Sequence, residues 1–352
     1  MKKTLLAIAA MVAMVACNND YVVKEAAPEA IGFDNAFVNN STRSVVTPGY
    51  STTNLFNDFA VYGFVEDAVL FNGTKVAKDG TVSNQELSQA WKYAGTQYWI
   101  AGANYDFYAV APYTGNWAIK AATTPASTGA KISFTNVDGT QDLLYSGIVG
   151  CQGAENSNAA VEFTFKHILS RVKFSFENGY NASAATICVR DIKITNAYAT
   201  GVATLGANAA TWDEQDGVIT NGVAFGNATT AETYATDADV ANLVNYDYAY
   251  GTTIESYFER LLIPGSKDWN ISFVVDLLVS DKKIATYNHT AKATIALKPG
   301  MSYDIKAVIT ATNIDPNHAQ EPIEFTATMT DWTDATTEDN ATDTNQQGNQ
   351  NN

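Results

Sequence analysis

The chain is poor in cysteine and histidine, which limits the chemistry available to it. Its 352 residues include three of each. Cys151 and Cys188 are too few for a disulfide framework and lack metal-ligand spacing, and the sequence leaves open whether they are free or form one long-range bridge. His167, His289 and His318 are scattered, and His167 is expected to be a packed residue. Because nucleophile, phosphate-loop and zinc-protease motifs are also absent, the sequence predicts no enzyme activity, metal or cofactor.

Basic residues are scarce as well. Lys and Arg number 21 against 37 Asp and Glu, which gives a formal net charge of −16. No Lys or Arg follows Lys306, whereas eight acidic residues do. This charge repels phosphate backbones and excludes nucleic acid as a partner. The hydrophobic fraction of 46% is that of a packed globular protein.

Long hydrophobic runs are missing except at the N-terminus, where residues 4–16 read TLLAIAAMVAMVA after two lysines. This run is too short to span a bilayer, and Cys17 follows it directly. The order is typical of a bacterial lipoprotein signal and predicts a signal peptide at 1–16 with a lipid on Cys17. The alternative is an ordinary secretory signal cut near Ala16, with Cys17 incidental.

Period-two alternation dominates the rest of the chain and is typical of strands with one buried face. The clearest runs are VEFTF (161–165), RVKFSF (171–176), ISFVVDLLV (271–279) and SYDIKAVI (302–309). Clusters of Gly, Asn, Asp and Thr separate the runs and supply turns. Many short strands with polar turns predict an all-β fold of antiparallel β-sandwiches. Helical periodicity is brief, at 237–244 and 253–262.

The buried parity changes between the runs at 161–165 and 171–176. Such a change requires a bulge, a bend or a change of sheet, so a domain junction is predicted near Phe165–His167. A faint internal echo exists between GANYDFYAVAP, which starts at Gly102, and GMSYDIKAVI, which starts at Gly300. It is weak evidence for duplicated domains.

The two ends of the chain differ in composition from its middle. A polar leader at 18–30 precedes IGFDNAF, a short strand candidate with Ile31, Phe33 and Phe37 in odd register. Near the other end, alternating apolar residues form a second candidate strand: Ile323, Phe325, Ala327 and Met329. The tail at 334–352 is acidic, rich in Asn and Gln, and predicted to be disordered.

The aromatic stretch at 91–113 allows two interpretations. Stacked rings would suit a carbohydrate-binding platform. The alternation of Tyr105 and Phe107 with Asp106 and Tyr108 instead indicates packing in a sheet and core. The core interpretation is the favoured one.

Several short motifs together resemble one family. They are the lipoprotein signal, IGF, Thr42-Arg43, FAVYGF (59–64), QYWIAGANYDFYAVAP (97–112), DLLYSG (142–147), FKHILSRVKFSF (165–176), LLIPG (261–265), LKPGMSYDI (297–305) and MTDW (329–332). The set resembles the fimbrillin family, the pilins and pilus-associated lipoproteins of type V fimbriae in Gram-negative anaerobes. The likeness runs from about residue 1 to 333, and its most specific parts are DLLYSG and FKHILSRVKF.

The resemblance implies an all-β fold of two transthyretin-like sandwich domains in tandem, with few short helices. It further implies an outer-membrane lipoprotein anchored through Cys17 and cut by an arginine-specific protease between Arg43 and Ser44. The domain limits follow as 17–43 for the removed leader, 44–166 for the N-terminal domain and 167–333 for the C-terminal domain. Removal of the strand with Ile31, Phe33 and Phe37 would leave a groove for a strand of the next subunit.

The expected partners are therefore other pilus subunits, the outer membrane before processing, and receptors on host or bacterial surfaces. Ile323, Phe325, Ala327 and Met329 form the candidate donor strand, and the alternative is that this segment is simply the last strand of its own domain. The alternative function is a surface lipoprotein that stays anchored and binds glycans through the aromatics at 91–113.

Overall fold

The computed structural model describes most of the chain between residues 29 and 332. The described residues are 29–38, 57–66, 68–78, 80, 82–84, 87, 90–115, 117–120, 130–153, 159–180, 185–207, 210–228, 251–256, 258–279, 282–314 and 323–332. Strands account for nearly all of the regular structure in these ranges, which confirms the predicted all-β class.

The first ten described strands lie between residues 33 and 178. They are β1 (Phe33–Val38), β2 (Asp58–Val65), β3 (Ala68–Ala77), β4 (Lys92–Tyr93), β5 (Asn104–Ala111), β6 (Trp117–Lys120), β7 (Ala130–Thr135), β8 (Leu144–Gln152), β9 (Val161–His167) and β10 (Ser170–Asn178).

The remaining ten strands include one long hairpin and are accompanied by a single-turn helix. They are β11 (Ala185–Ile194), β12 (Thr200–Leu205), β13 (Ala210–Asp216), β14 (Val223–Ala228), β15 (Thr253–Glu255), β16 (Arg260–Leu262), β17 (Gly265–Val279), β18 (Lys282–Leu297), β19 (Met301–Ile309), α1 (Ala311–Ile314) and β20 (Phe325–Asp331).

Four sheets form from these strands. Sheet 1 has the order β1-β9-β8-β5-β2-β3-β4, and sheet 2 has the order β13-β12-β7-β6. Sheet 3 has the order β15-β10-β19-β20, with β16 also paired to β10, and sheet 4 has the order β14-β11-β17-β18. Most pairs are antiparallel as predicted, but β1–β9 and β10–β19 are parallel. The partners of each parallel pair lie far apart in sequence, so long connections can return the chain in the same direction.

Three hydrophobic cores hold the sheets together. The first core covers one face of sheet 1 and contains Phe33, Phe107 and Phe163. The second core lies between sheets 1 and 2 and includes Tyr108 and Phe134. The third core joins sheets 3 and 4, and the alternating apolar residues of β10, β17 and β19 all point into it. Sheet 1 is thus buried on both of its faces.

The chain passes from one sheet to another where the buried parity changes, which is one of the three arrangements that the sequence left open. Strand β9 ends in sheet 1 at His167, and β10 begins in sheet 3 at Ser170. Ile168 and Leu169 between them are fully buried. Sheet 2, however, combines β7 with β12 through pairs such as Thr135 with Thr200, so it takes strands from both sides of the predicted boundary at residue 166. The number and limits of the domains stay predictions.

The Gly-x-x-Tyr echo corresponds to a repeated turn. Gly102 and Gly300 both have positive φ, 75° and 67°. Three residues later, the Tyr105 hydroxyl accepts a 2.6 Å hydrogen bond from the backbone N of Ile100, and the Tyr303 hydroxyl accepts one of 2.8 Å from that of Lys298. Each turn thereby leads into a strand in the interior of its sheet.

The helical periodicity at 253–262 does not correspond to a helix. Residues 253–255 and 260–262 are strands that pair with β10, and the segment at 237–244 lies outside the described residues. In the described part of the chain the one helix is α1, which has four residues. The apolar spacing of Ile254, Leu261 and Leu262 serves two short strands, because cross-strand pairing with β10 overrides the weak local propensity.

A buried ion pair lies in sheet 4. The carboxylate of Asp276 is fully buried, accepts a 2.7 Å hydrogen bond from Nε of Arg190, and accepts a 2.6 Å hydrogen bond from the hydroxyl of Thr286. The hydrogen bond to Asp276 raises the pKa of Arg190. The pair links the three neighbouring strands β11, β17 and β18.

This arrangement predicts an asymmetric response to charge removal. Arg190→Ala leaves the buried carboxylate of Asp276 with only the Thr286 hydroxyl, so it is expected to lower the free energy of unfolding by about 3–5 kcal/mol. The matched control is Lys306→Ala, which removes the partly exposed ion pair with Glu177 and should cost about 1 kcal/mol or less. Urea denaturation followed by circular dichroism measures both, and equal losses would contradict the prediction.

Candidate functional site

The candidate site is the place occupied by the predicted first strand. Strand β1 forms one edge of sheet 1 and pairs in parallel with β9, beginning with Phe33 opposite Val161. The register slips after Asp34, so that Phe37 stands opposite Thr164. Three steps along β1 therefore match two along β9, and the odd register predicted for the segment is interrupted by a bulge.

Two of the predicted apolar side chains are fully buried in the first core. Ile31 and Phe33 both have 0% exposure. Four aromatic rings surround the Phe33 ring at centroid distances of 5.5–6.1 Å: Phe71, Tyr93, Phe107 and Phe163. Three of these contacts are edge-to-face and the one with Phe163 is stacked, which are the favourable geometries for aromatic pairs. The strand thus contributes a central side chain to the core, although it lies at the edge of the sheet.

Backbone hydrogen bonds hold the segment on two sides. On one side, the backbone N of Ile31 donates to the carbonyl of Gln97 (2.7 Å) and that of Trp99 donates to the carbonyl of Glu29 (2.9 Å). The Tyr93 hydroxyl also donates to the carbonyl of Ile31 at 2.8 Å. On the other side, the backbone N of Val161 donates to the carbonyl of Gly32 at 2.8 Å. Residues 29–33 therefore satisfy polar groups of both the 97–99 loop and β9.

We define the first-strand slot as the surface that Ile31–Phe33 cover. Its floor is made of four aromatic rings, and its walls are the backbone of residues 97–99 and the start of β9. A chain without residues 29–38 would expose this apolar floor together with backbone donors and acceptors. Such a surface binds an extended apolar segment, since strand addition satisfies both kinds of group at once.

The residues predicted for lipid anchoring and proteolytic processing lie outside the described residues: Cys17, Arg43 and Ser44. Strand β1 ends at Val38, five positions before Arg43 in the sequence.

The predicted C-terminal strand is present as β20. It pairs antiparallel with β19 at the edge of sheet 3, as expected for the last strand of its own sheet. Ile323 is buried, and Phe325 packs against Phe174, Phe176 and Phe273 at 5.8–6.0 Å.

The predicted alternation fails in the second half of this strand. Ala327 is exposed, and so is Met329, at 45%. An open groove of about 460 Å³ lies between β18 and the beginning of β20, and its lining includes Ala291, Ala293 and Ala327. A second groove of about 840 Å³ adjoins Ile323 and Thr326. Half of the candidate donor strand is therefore little covered.

The aromatic stretch at 91–113 belongs to the core, as favoured. Trp91, Tyr93, Tyr105, Phe107 and Tyr108 are all buried, with at most 5% exposure. Within this fully described stretch, the one aromatic side chain classed as exposed is that of Tyr98, at 41%. One exposed ring does not form a stacking platform for a sugar, so the geometry does not favour glycan binding here.

The described cysteines and His167 are structural residues. Cys151 and Cys188 are free thiols, which settles the alternative left open by the sequence. His167 is packed, with its Nδ1 2.8 Å from a carboxylate oxygen of Asp142. The described residues contain no group of three or more His, Cys, Asp or Glu side chains suited to a metal ion. Nor does any described helix have the length and apolar character needed to cross a membrane.

Comparisons with known proteins agree with this architecture. Among solved structures, a fimbrial protein from Bacteroides vulgatus matches with a TM-score of 0.52 and 15% identity, over 86% of this chain and 99% of that chain. Two proteins assigned to cell adhesion also match: one from Bacteroides uniformis (16% identity, TM-score 0.44, covering 87% and 98%) and one from Bacteroides ovatus (15%, 0.43, covering 87% and 97%). At these identities, the first match supports the fold alone.

No curated protein matches the chain. The family comparison is more decisive, because a family model described as fimbrillin-like matches residues 42–332, which is well over half of the chain. The protein therefore belongs to the fimbrillin-like family.

Proposed function

We propose that the protein is a structural subunit or tip/accessory adhesin of type V fimbriae, without enzymatic activity, that assembles by donor-strand exchange. In this proposal it is exported as an outer-membrane lipoprotein through Cys17 and is cut between Arg43 and Ser44. The family match supports the coarser part, a pilus or adhesin role at the cell surface. The partners are then other pilus subunits and, for an adhesin, surface receptors.

The observation that carries the proposal is the burial of Ile31 and Phe33. Both side chains are fully buried, yet Phe33 begins an edge strand that precedes Arg43 in the sequence, and Ile31 lies just before that strand. A cut after Arg43 would separate this strand from the rest of the chain. The body would then have a deep slot with unsatisfied backbone groups, and a strand from another subunit would restore both the burial and the hydrogen bonds.

The C-terminal strand offers a matching donor. The triplet Ile323-Glu324-Phe325 repeats the Ile-x-Phe spacing of Ile31-Gly32-Phe33. Each triplet leads into a strand at the edge of its sheet, β20 and β1. In a polymer, Ile323 and Phe325 of one subunit would take the places of Ile31 and Phe33 in the next, with Ala327 and Met329 continuing the strand.

Replacement of Arg43 tests the processing step. In Arg43→Ala and Arg43→Lys, an arginine-specific protease has no site, and the surface form is expected to keep its lipidated Cys17 and remain monomeric. The lysine variant keeps the positive charge and so separates loss of cleavage from loss of charge. Mass spectrometry of the mature N-terminus and native gels of surface extracts give the readout.

The control for this experiment is Lys24→Ala, which alters another basic residue of the same leader. It should leave both a Ser44 N-terminus and polymer formation unchanged. Normal polymers in both Arg43 variants, or a wild-type surface form that begins only at Cys17, would refute the processing step.

Replacement of Phe33 tests whether the slot is a deep site in the intact chain. Phe33→Ala removes the ring that four aromatic side chains surround, and it is expected to destabilise the unprocessed chain by about 3–5 kcal/mol. Val69→Ala, at a half-exposed position of β3 in the same sheet, should change stability by about 0.5 kcal/mol or less. Thermal unfolding of the purified chain compares the two, and a small loss for Phe33→Ala would mean that the slot binds its strand weakly.

A further inference from the structure

The end of β20 is anchored in a different core from its beginning. Ile323 and Phe325 pack on the third core, between sheets 3 and 4. Trp332, directly after the strand, is 7% exposed and belongs to the second core, between sheets 1 and 2. The strand therefore connects two separate cores through its two ends.

The Trp332 side chain packs on residues that lie where the chain passes from sheet 1 to sheet 3. The Trp332 indole stacks on the imidazole of His167 at a centroid distance of 3.7 Å and an angle of 13°. The guanidinium carbon of Arg171 lies 5.2 Å from the indole ring, within cation–π range. The backbone N of Trp332 also donates to the carbonyl of Gly300 at 3.2 Å.

His167 and Arg171 are themselves held in place by further polar contacts. The His167 side chain is 6% exposed, and its Nδ1 lies 2.8 Å from Oδ2 of Asp142. Nε of Arg171 donates to the hydroxyl of Ser302 at 3.2 Å, and its guanidinium also lies 3.8 Å from the carboxylate of Glu259. His167 of β9 and Arg171 of β10 thus hold the Trp332 side chain, and both are fixed by contacts with other segments.

The part of β20 between Phe325 and Trp332 makes few stabilising contacts. Thr326 to Asp331 are all exposed, and their ladder to β19 is the one ladder of β20 among the described strands. Grooves adjoin the beginning of the strand. A strand with few buried contacts opens locally at low cost, so its two anchored ends decide how often it leaves the sheet.

We propose that Trp332 is a latch that holds β20 in its own sheet and controls its release. This inference rests on the proposed function in one respect: release matters for assembly if β20 is the donated strand. Withdrawal of the indole from its contacts with His167 and Arg171 frees the end of the strand, after which the exposed stretch separates from β19. In this arrangement Trp332 acts as a positioning residue for the strand.

Hydrogen exchange of the intact chain, followed by mass spectrometry, tests the latch. In Trp332→Ala, amides of Phe325–Asp331 are expected to exchange about a hundredfold faster, because the anchoring indole is lost. Amides of the β17–β18 hairpin should keep their wild-type rates. Met329→Ala, which truncates an exposed residue of the same strand, is the matched control and should leave all rates unchanged.

Two outcomes would overturn the latch. Unchanged exchange in β20 would show that Trp332 does not hold the strand. Equal acceleration in β20 and in β17–β18 would show that Trp332 supports the whole fold and not this strand. If Trp332→Ala does not fold, Arg171→Gln replaces it, with a smaller acceleration of about tenfold or less expected in β20 alone; no acceleration there would also overturn the latch.

The same variants separate the latch from the proposed function. Exchange in β20 is measured on single subunits and does not require assembly. Faster exchange in β20 without faster polymer formation by processed subunits would support the latch and contradict the donor role. Faster polymer formation together with faster exchange would support both.

Discussion

The burial of Phe33 is the constraint on which the packing of sheet 1 depends. Its ring lies among Phe71, Tyr93, Phe107 and Phe163, so four strands of sheet 1 pack around a side chain from a fifth. Edge strands usually contribute little to a core, and their exposed backbone invites pairing with other chains. Here the edge strand supplies the centre of the core, and that core has its full set of contacts only while the slot is filled.

The two edge strands β1 and β20 differ in how deeply their side chains are buried. Ile31 and Phe33 are fully buried, whereas Met329 is 45% exposed and Ala327 is exposed. In the proposed exchange Ala327 and Met329 have buried apolar area to gain, at roughly 25 cal/mol per Å², whereas Ile323 and Phe325 already pack on the third core of their own subunit. Under the proposed function, occupancy of the slot by β1 and occupancy by a donated strand exclude each other.

Much of the fold could be predicted from the sequence because its strands are amphipathic. The parity of VEFTF and RVKFSF correctly placed Phe163 and Phe174 in cores, and the change of parity correctly located the passage from sheet 1 to sheet 3. The pairing partners of the strands could not be predicted from the sequence. The parallel pairing of β10 with β19 and the pairing of β7 with β12 join segments more than 60 residues apart, and a local pattern contains no information on such contacts.

The parts of the site that could be predicted are those in which an apolar strand face is covered by another sheet. Alternation states which face of a strand is apolar, but the burial of that face depends on what the opposite sheet presents. Opposite β1 stand aromatic rings, and the prediction for Ile31 and Phe33 holds. Beside β20 an open groove lined by Ala291 and Ala293 extends to Ala327, and the prediction fails from Ala327 onward. The role of Trp332 had no periodic signal at all, since its partners His167 and Arg171 lie about 160 residues earlier. A single aromatic residue after an exposed strand acquires meaning only once the chain has brought two distant segments together.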